Sequence, residues 1–155
     1  MISYIEDGKK FNYRVGAIIK KDNKILLHRL SKFDFWLLPG GRVEMLENTE
    51  NAIVRELEEE INVKSKVEGL AFSSETFFKL GNTLYHELGF YYFIKLENEK
   101  LYQKEEFYGK EENEKLIFKW FDINELESID LRPEFLVEYF KNPSTEYKHI
   151  IKSDL

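Results

Sequence analysis

Three glutamates on one predicted helix are the residues of this sequence best suited to chemistry. Glu56, Glu59 and Glu60 are spaced i, i+3 and i+4, so on a helix they share one face, with Cβ atoms about 5–6 Å apart. Carboxylates this close repel one another and need a positive charge beside them. Clustered carboxylate oxygens suit Mg²⁺ or Mn²⁺, which keep bound water and also bind substrate phosphates. The spacing therefore predicts a divalent-metal site.

A Glu-rich helix could instead be a solvated surface, so the surrounding residues decide the interpretation. Gly41, Glu47 and Arg55 precede the three glutamates at fixed intervals. Six fixed residue types at this spacing are expected by chance on the order of 10⁻⁴ times in a chain of this composition. Arg55 is suited either to neutralise part of the glutamate cluster or to anchor Glu47 from across the turn.

A glycine turn followed by a helix positions these residues. An apolar run ends at Leu38 and is broken by Pro39-Gly40-Gly41, and Asn48 or Thr49 is the predicted N-cap. The apolar residues that follow recur at helical spacing and are expected to face the core: Ala52, Ile53, Leu57 and Ile61. Asn62 falls where a helix ends in a left-handed residue, which Gly adopts best and Asn next.

These motifs resemble the Nudix box over residues 41–63. The resemblance covers the first glycine, the glutamate six residues later, and the Arg-Glu-apolar-x-Glu-Glu segment. Asn62 replaces the final glycine, and Leu46 stands where many members carry glycine. Asn62 is a conservative departure, because Asn tolerates the left-handed conformation. The similarity extends from about residue 13 to residue 136 and so covers most of the chain.

The resemblance implies an α+β fold, an α/β/α sandwich around a mixed β-sheet. It also implies metal-dependent hydrolysis of a nucleoside diphosphate linked to another moiety. Mg²⁺, with Mn²⁺ as an alternative, is expected on Glu56, Glu59 and Glu60, and the carbonyl of Gly40 is a further candidate ligand. Glu56 or Glu59 is the expected catalytic base, and a glutamate within residues 105–114 is an alternative that the sequence cannot rank.

Supporting and substrate-binding roles follow from the same resemblance. Glu47 is expected to hold Arg55 in place rather than to bind metal. The expected substrate-binding residues are Arg29, Gly41 and Arg42. Arg29 could equally be a surface arginine, because one basic residue is weak evidence. His28, alone on a strand, is expected to be structural.

Composition indicates a single domain spanning residues 1–155, with a core from about 12 to 141. The chain has 43% apolar residues and no cysteine, which excludes disulfides, Cys-ligated zinc and a thiol nucleophile. A net charge of −6 argues against nonspecific nucleic-acid binding. The N-terminus is polar and no apolar run reaches membrane-spanning length, so a cytoplasmic protein without membrane contact is expected. Many relatives pair, which makes a homodimer conceivable.

The remaining strands, helices and loops are predicted from hydrophobic periodicity and from turn-forming residues. Residues 12–20 and 25–29 are predicted to form one hairpin, and residues 64–78 and 83–96 a second, longer one. Apolar residues 90–94 should be buried on both faces of a central strand. The remaining predictions are an exposed loop at 97–115, a strand at 116–121, short helices at 122–128 and 133–141, and a loose tail after Pro143.

Two questions stay open at this point. His86 and Glu87 should lie beside Glu75 in the long hairpin, either as substrate contacts or as a buried hydrogen-bonded set. The main functional alternative is a catalytically silent nucleotide-binding sensor, against which the intact glutamate set argues. The related isopentenyl diphosphate isomerases depend on a cysteine, which this chain lacks, and the leaving group of the substrate is not readable from the sequence.

Overall fold

Two β-sheets and the helices packed on them form the fold of the computed structural model, which describes residues 1–110 and 115–155. The strands are β1 (Ser3–Glu6), β2 (Lys9–Ile18), β3 (Lys20–Lys21), β4 (Lys24–Leu30), β5 (Gly40–Arg42), β6 (Ser65–Leu80), β7 (Thr83–Leu96), β8 (Glu106–Lys110), β9 (Lys115–Asp122) and β10 (Lys148–Ser153). The helices are α1 (Thr49–Ile61), α2 (Glu99–Gln103), α3 (Phe135–Lys141) and a 3₁₀-helix, Ile123–Ser128. The fold class is α+β, as predicted.

The larger sheet is mixed and has the order β1-β2-β7-β6-β10, with β5 paired to β2. Strands β2 and β7 run parallel, and β6 and β7 form a long antiparallel hairpin. The smaller sheet is antiparallel, in the order β3-β4-β9-β8. No helix in the described segments is long and apolar enough to span a membrane.

Two apolar cores flank the strands and give the layered arrangement. Helix α1 supplies Ala52, Ile53 and Leu57 to one core, and α3 supplies Leu136 and Phe140 to the other. Strands contribute to both cores, since successive side chains of a strand point to opposite faces. On β4, for example, Leu26 belongs to the first core and its two neighbours to the second.

Both predicted ends of α1 are confirmed. The Asn48 side chain accepts a hydrogen bond from the Asn51 N–H at 2.8 Å, so Asn48 is the N-cap. Asn62 adopts the left-handed conformation, with φ 50° and ψ 46°, and its N–H donates to the Glu58 carbonyl. The sequence thus determines both where the helix begins and where it ends.

The hairpin predicted from residues 12–20 and 25–29 is wrong except at its tip. Lys20 pairs with Ile25 and Lys21 with Lys24, and the Leu26 N–H donates to the Ile19 carbonyl at 3.1 Å. Strand β2 instead pairs with β1, β5 and β7, while β4 pairs with β9. Residues 15–19 are buried on both faces, so this run is a central strand that needs partners from distant parts of the chain.

Two segments predicted to be irregular contain regular structure, which corrects the described residues 97–110 of the predicted loop and the loose tail; residues 111–114 of that loop lie outside the described part of the chain. The first contains α2 and β8, and Leu101 and Phe107 anchor it in the core. The tail contains β10, which pairs in parallel with β6 from Phe72 to Phe77. Neither segment shows an apolar pattern in the sequence, because the described part of the first buries only Leu101 and Phe107 and β10 has no side chain that is more than partly buried.

The long hairpin and the strand at 115–122 are confirmed. Tyr91, Tyr92 and Ile94 are buried in the centre of the larger sheet, whereas Phe90 and Phe93 are only partly buried. The helix predicted at 122–128 is a 3₁₀-helix with a complete Asp122 capping box. Helix α3 begins two residues later than predicted, after a first turn closed by bonds to the carbonyls of residues 133 and 134.

Candidate active site

The glycine turn lets β5 and α1 approach closely. A Cβ on Gly40 would lie 2.0 Å from the Val15 carbonyl oxygen, and one on Gly41 would lie 2.2 Å from Cδ of Glu56. Gly40 also has φ +154°, at the edge of the region that favours glycine. Gly40 therefore allows β5 to lie close to β2, and Gly41 allows the Glu56 carboxyl to pack directly against the backbone of β5.

Arg55 is the hub of the site. Its Nε and Nη2 donate to both oxygens of Glu47, at 2.7 and 2.9 Å, and Nη2 also donates to the Arg42 carbonyl at 3.0 Å. Its Nη1 donates to Glu56 at 3.1 Å and to Glu59 at 3.2 Å. One guanidinium thus joins the loop after β5 to the glutamate face of α1, using the fork geometry that suits carboxylates.

The three glutamates of the helix face occupy different environments. The side chain of Glu56 is 13% exposed and that of Glu60 is 3% exposed, while that of Glu59 is 59% exposed. The Glu60 carboxylate lies 3.6 Å from Nδ1 of the buried His28. Helical spacing brings the three residues to one face of α1. Their side chains nevertheless have different surroundings, because Glu60 is buried, whereas Glu56 and Glu59 accept hydrogen bonds from Arg55.

Two carboxyl groups of the site, those of Glu47 and Glu56, have pKa values that are shifted in opposite directions. Hydrogen bonds from Arg55 lower the pKa of Glu47, so this residue is a stable anion. Burial, followed by the negative charge of Glu60, raises the pKa of Glu56 to about 7, although Arg55 opposes the shift. Glu56 is therefore poised to exchange a proton near neutral pH.

A cleft of about 830 Å³ gathers most of the predicted site residues. Its lining includes Gly40, Gly41, Arg42, Arg55, Glu56, Glu59 and Glu60. Residues that the sequence analysis did not propose also line it: Arg14, Phe33, Phe35 and Lys110. They come from β2, the loop after β4 and β8, and no spacing in the sequence relates them to the box.

Arg29 is placed differently from the other predicted substrate-binding residues. It stacks over Trp36 at 5.2 Å and donates to the Phe33 carbonyl at 2.9 Å. Its neighbours on β4, His28 and Leu30, line the cleft, and Arg29 points to the opposite side of the strand. In this structure Arg29 orders the loop around Trp36 and is not part of the cleft lining.

The loop glutamates and the hairpin set do not join the cleft. Glu105 and Glu106 are exposed and outside its lining, and residues 111, 112 and 114 lie outside the described part of the chain. Glu75 accepts a hydrogen bond from His149 of β10 at 2.8 Å, taking Nε2 as protonated. His86 instead stacks on Phe77. Glu75 and His86 therefore have different partners in the hairpin, and neither they nor Glu87 line the cleft.

The chemistry of the glutamates fits a divalent cation, although the side chains are not arranged around one. Among the described residues, no three carboxylate or imidazole groups converge closely enough to hold a metal ion. The partly buried Glu56 and the buried Glu60 nevertheless repel each other as carboxylates, and a cation would relieve that repulsion. Hard oxygen donors of this kind favour Mg²⁺ or Mn²⁺.

Comparison with known proteins places this site in a family. The model of the NUDIX domain matches residues 10–141. The chain belongs to the Nudix family. It is an enzyme of the pyrophosphohydrolase type, and Nudix hydrolases generally use divalent metal ions.

Named relatives of this Nudix chain act on different nucleotides. The 8-oxo-dGTP diphosphatase of Buchnera aphidicola subsp. Schizaphis graminum is 30% identical over 148 residues, covering 92% of each chain. The ADP-ribose pyrophosphatase of Methanocaldococcus jannaschii is 48% identical over 59 residues, which are 36% of this chain and 35% of that protein. The second similarity is thus confined to a segment.

Solved structures share the Nudix fold. A UDP-X diphosphatase superposes with a TM-score of 0.62 and 27% identity, covering 88% of this chain and 66% of its own. A MutT NUDIX hydrolase from Burkholderia pseudomallei superposes with a TM-score of 0.58 and 25% identity, covering 74% and 84%. Mixed sheet and flanking helices are therefore the family's architecture.

Proposed function

We propose that this protein is a Mg²⁺-dependent hydrolase that cleaves a pyrophosphate bond in a nucleoside diphosphate linked to another moiety. The substrate is an ADP-ribose-like compound or a nucleoside triphosphate. One observation carries the proposal: the cleft that holds Glu56 and Glu60 is also lined by the cationic residues Arg14, Arg42 and Lys110. Carboxylates for a metal and cations for phosphates thus line the same cavity.

Glu56, Glu59, Glu60 and the carbonyl of Gly40 are the groups that would hold the metal. When bound, the ion polarises the diphosphate and lowers the pKa of a coordinated water. Gly41 keeps the Glu56 carboxyl close to the backbone that lines the phosphate-binding region. Glu47 acts indirectly. It holds the Arg55 guanidinium in place, and Arg55 in turn orders Glu56 and Glu59.

Glu56 is the proposed general base, and Glu59 is the alternative. A water oxygen forms a bond to one phosphorus while the bridging P–O bond breaks, and the base takes the proton of the water. A base functions best when its pKa lies near the working pH, and in the metal-free protein the pKa of Glu56, about 7, is closer to that condition than that of an ordinary glutamate. Arg14, Arg42 and Lys110 are proposed to bind the negative charge of the phosphate oxygens.

The alternative function is a silent nucleotide sensor with the same fold. A sensor has no need of a carboxyl group with a raised pKa beside a second, buried carboxyl group, so Glu56 and Glu60 favour the enzyme. Small-molecule nucleotides are the proposed partners, and we propose the cytoplasm as the compartment because such nucleotides are made and used there. Nonspecific nucleic-acid binding is not expected from the net charge of −6.

Phosphate release from a substrate panel tests the proposal. The panel contains ADP-ribose, 8-oxo-dGTP, CTP and a UDP-sugar, each assayed with Mg²⁺, with Mn²⁺ and with chelator, after coupling to a phosphatase. Metal-dependent turnover of one compound is the expected result and identifies the leaving group. If no compound is hydrolysed while nucleotides raise the melting temperature, the sensor replaces the enzyme.

A further inference from the structure

A row of aromatic rings crosses the outer end of the larger sheet. Tyr4, Phe11, His86 and Phe77 lie on four adjacent strands, and we call them the aromatic row. Their ring centroids are 5.9, 5.2 and 4.6 Å apart in succession. Tyr4 is 62% exposed and His86 is exposed. Within the described part of the chain, none of the four belongs to either apolar core.

The strand register identifies the two rows of residues that flank the aromatic row on the same face of the sheet. Towards the hairpin turns, Leu84 pairs with both Lys9 and Lys79. On the other side, Leu88 pairs with both Tyr13 and Glu75. These two flanking rows are each two residues away from the aromatic row along their strands, so all three rows share one face of the sheet.

The three rows are self-complementary. Consider a two-fold axis that runs along the aromatic row, between two copies whose faces meet. Rotation about this axis places each strand opposite the same strand of the other copy and exchanges the two flanking rows. Lys79 of one copy then lies opposite Glu75 of the other, and Leu84 lies opposite Leu88. Each pair occurs twice, as a symmetric interface requires. The aromatic rings face their own counterparts across the axis.

We propose that a second copy of this chain packs on this face, forming a two-fold symmetric dimer through the aromatic row. The strands of the two sheets run antiparallel across the interface, in the aligned packing with layers about 10 Å apart that two twisted sheets adopt. Exposed aromatic residues at this density mark a binding surface. Opposite charges on the two sides of the row favour this chain as its own partner, because a uniformly charged partner would meet repulsion on one side.

The size of the face sets the strength of the dimer. Strands about 4.8 Å apart and same-face residues about 6.8 Å apart give five strands and three rows a flat footprint of about 500 Å² per copy. A stable interface usually buries about 800 Å² per partner. The dimer is therefore weak and concentration-dependent, with dissociation in the micromolar range.

Sedimentation velocity over a concentration series tests the interface. The wild-type chain should shift from monomer to dimer between about 1 and several hundred micromolar. Lys79→Glu places two carboxylates opposite each other at both symmetric positions and should raise the dissociation constant about tenfold. Glu75→Lys should do the same. The double variant Glu75→Lys/Lys79→Glu restores opposite charges and should dimerise more strongly than either single variant. Both Glu75→Lys and the double variant lose the hydrogen bond between Glu75 and His149.

Phe77→Lys and Phe78→Lys form a matched pair, because the two residues are adjacent, partly buried and on opposite faces of β6. Phe77→Lys should abolish dimerisation, whereas Phe78→Lys should leave it intact. Circular dichroism confirms that each variant is folded, and the charge series decides the matter if a Phe variant is not. The proposal is overturned by a wild-type chain that stays monomeric throughout, by equal effects of the two Phe variants, or by a double charge variant that stays as weak as the singles.

Discussion

Glu56→Gln should stabilise the metal-free protein at alkaline pH, because it removes a charge that the fold disfavours. Burial and the Glu60 charge raise the pKa of Glu56 from an ordinary value of 4.5 to about 7. A carboxyl group whose pKa is raised by folding destabilises the fold once it ionises. Its unfavourable effect is absent below pH 4.5, grows between pH 4.5 and 7, and is complete above pH 7.

The size of the effect follows from the shift. A pKa raised from 4.5 to about 7 corresponds to about 3 kcal/mol at pH 8.5 and less than about 1 kcal/mol at pH 5. The glutamine still offers an oxygen to Arg55, so the hydrogen bond at this position is kept. For a chain of this length, about 3 kcal/mol raises the melting temperature by about 6–12 °C.

Thermal melts of wild-type protein and Glu56→Gln in chelator, at pH 5 and pH 8.5, measure this difference. The variant should be clearly more stable at pH 8.5 and only slightly more stable at pH 5. A gain of equal size at both pH values would show that packing rather than charge is responsible. A variant no more stable than the wild-type protein at pH 8.5 would refute the assigned environment of Glu56.

Three further predictions concern the box. Gly41→Ala should lower the free energy of unfolding by about 1–3 kcal/mol and impair turnover, because its Cβ would lie 2.2 Å from Cδ of Glu56. Chemical denaturation measures the first effect and the phosphate-release assay the second. A substitution that changes neither would mean that this contact is not needed. Asn62→Gly should be neutral or slightly stabilising, since φ is already 50°, and a large fall in the melting temperature would contradict the left-handed cap. Glu59→Gln should abolish metal-dependent turnover and leave the circular dichroism spectrum unchanged, and retained turnover would remove Glu59 from the metal site.

Local signals explain why the box helix could be predicted from the sequence. Asn48 and Asn62 are caps whose conformations are set by their own side chains and backbones. Ala52, Ile53 and Leu57 follow the helical period and are all buried. Each of these features depends on residues within a few positions of one another, which is the range over which a single sequence carries information about structure.

Long-range pairing explains what the sequence did not reveal. Strand β10 exists because it pairs with the edge of β6, some 75 residues earlier, and most of its side chains are exposed. Arg14 and Lys110 line the cleft because β2 and β8 border it, although neither residue lies near the box in the sequence. Arg29 was expected at the substrate, but the alternation of β4 turns it towards Trp36. Such placements depend on sheet topology, which no local spacing encodes.

The dependence of hydrolysis on Mg²⁺ and on the helix glutamates tests the central claim most directly. The best substrate of the panel is assayed over a Mg²⁺ titration with wild-type protein and with Glu56→Gln, which is expected to be folded and, without metal, more stable. Turnover of the wild-type protein should rise to saturation with Mg²⁺ and disappear in chelator, while the variant should show none at any concentration. Hydrolysis that persists in chelator, or that survives in Glu56→Gln, would contradict a metal-dependent active site built on this helix.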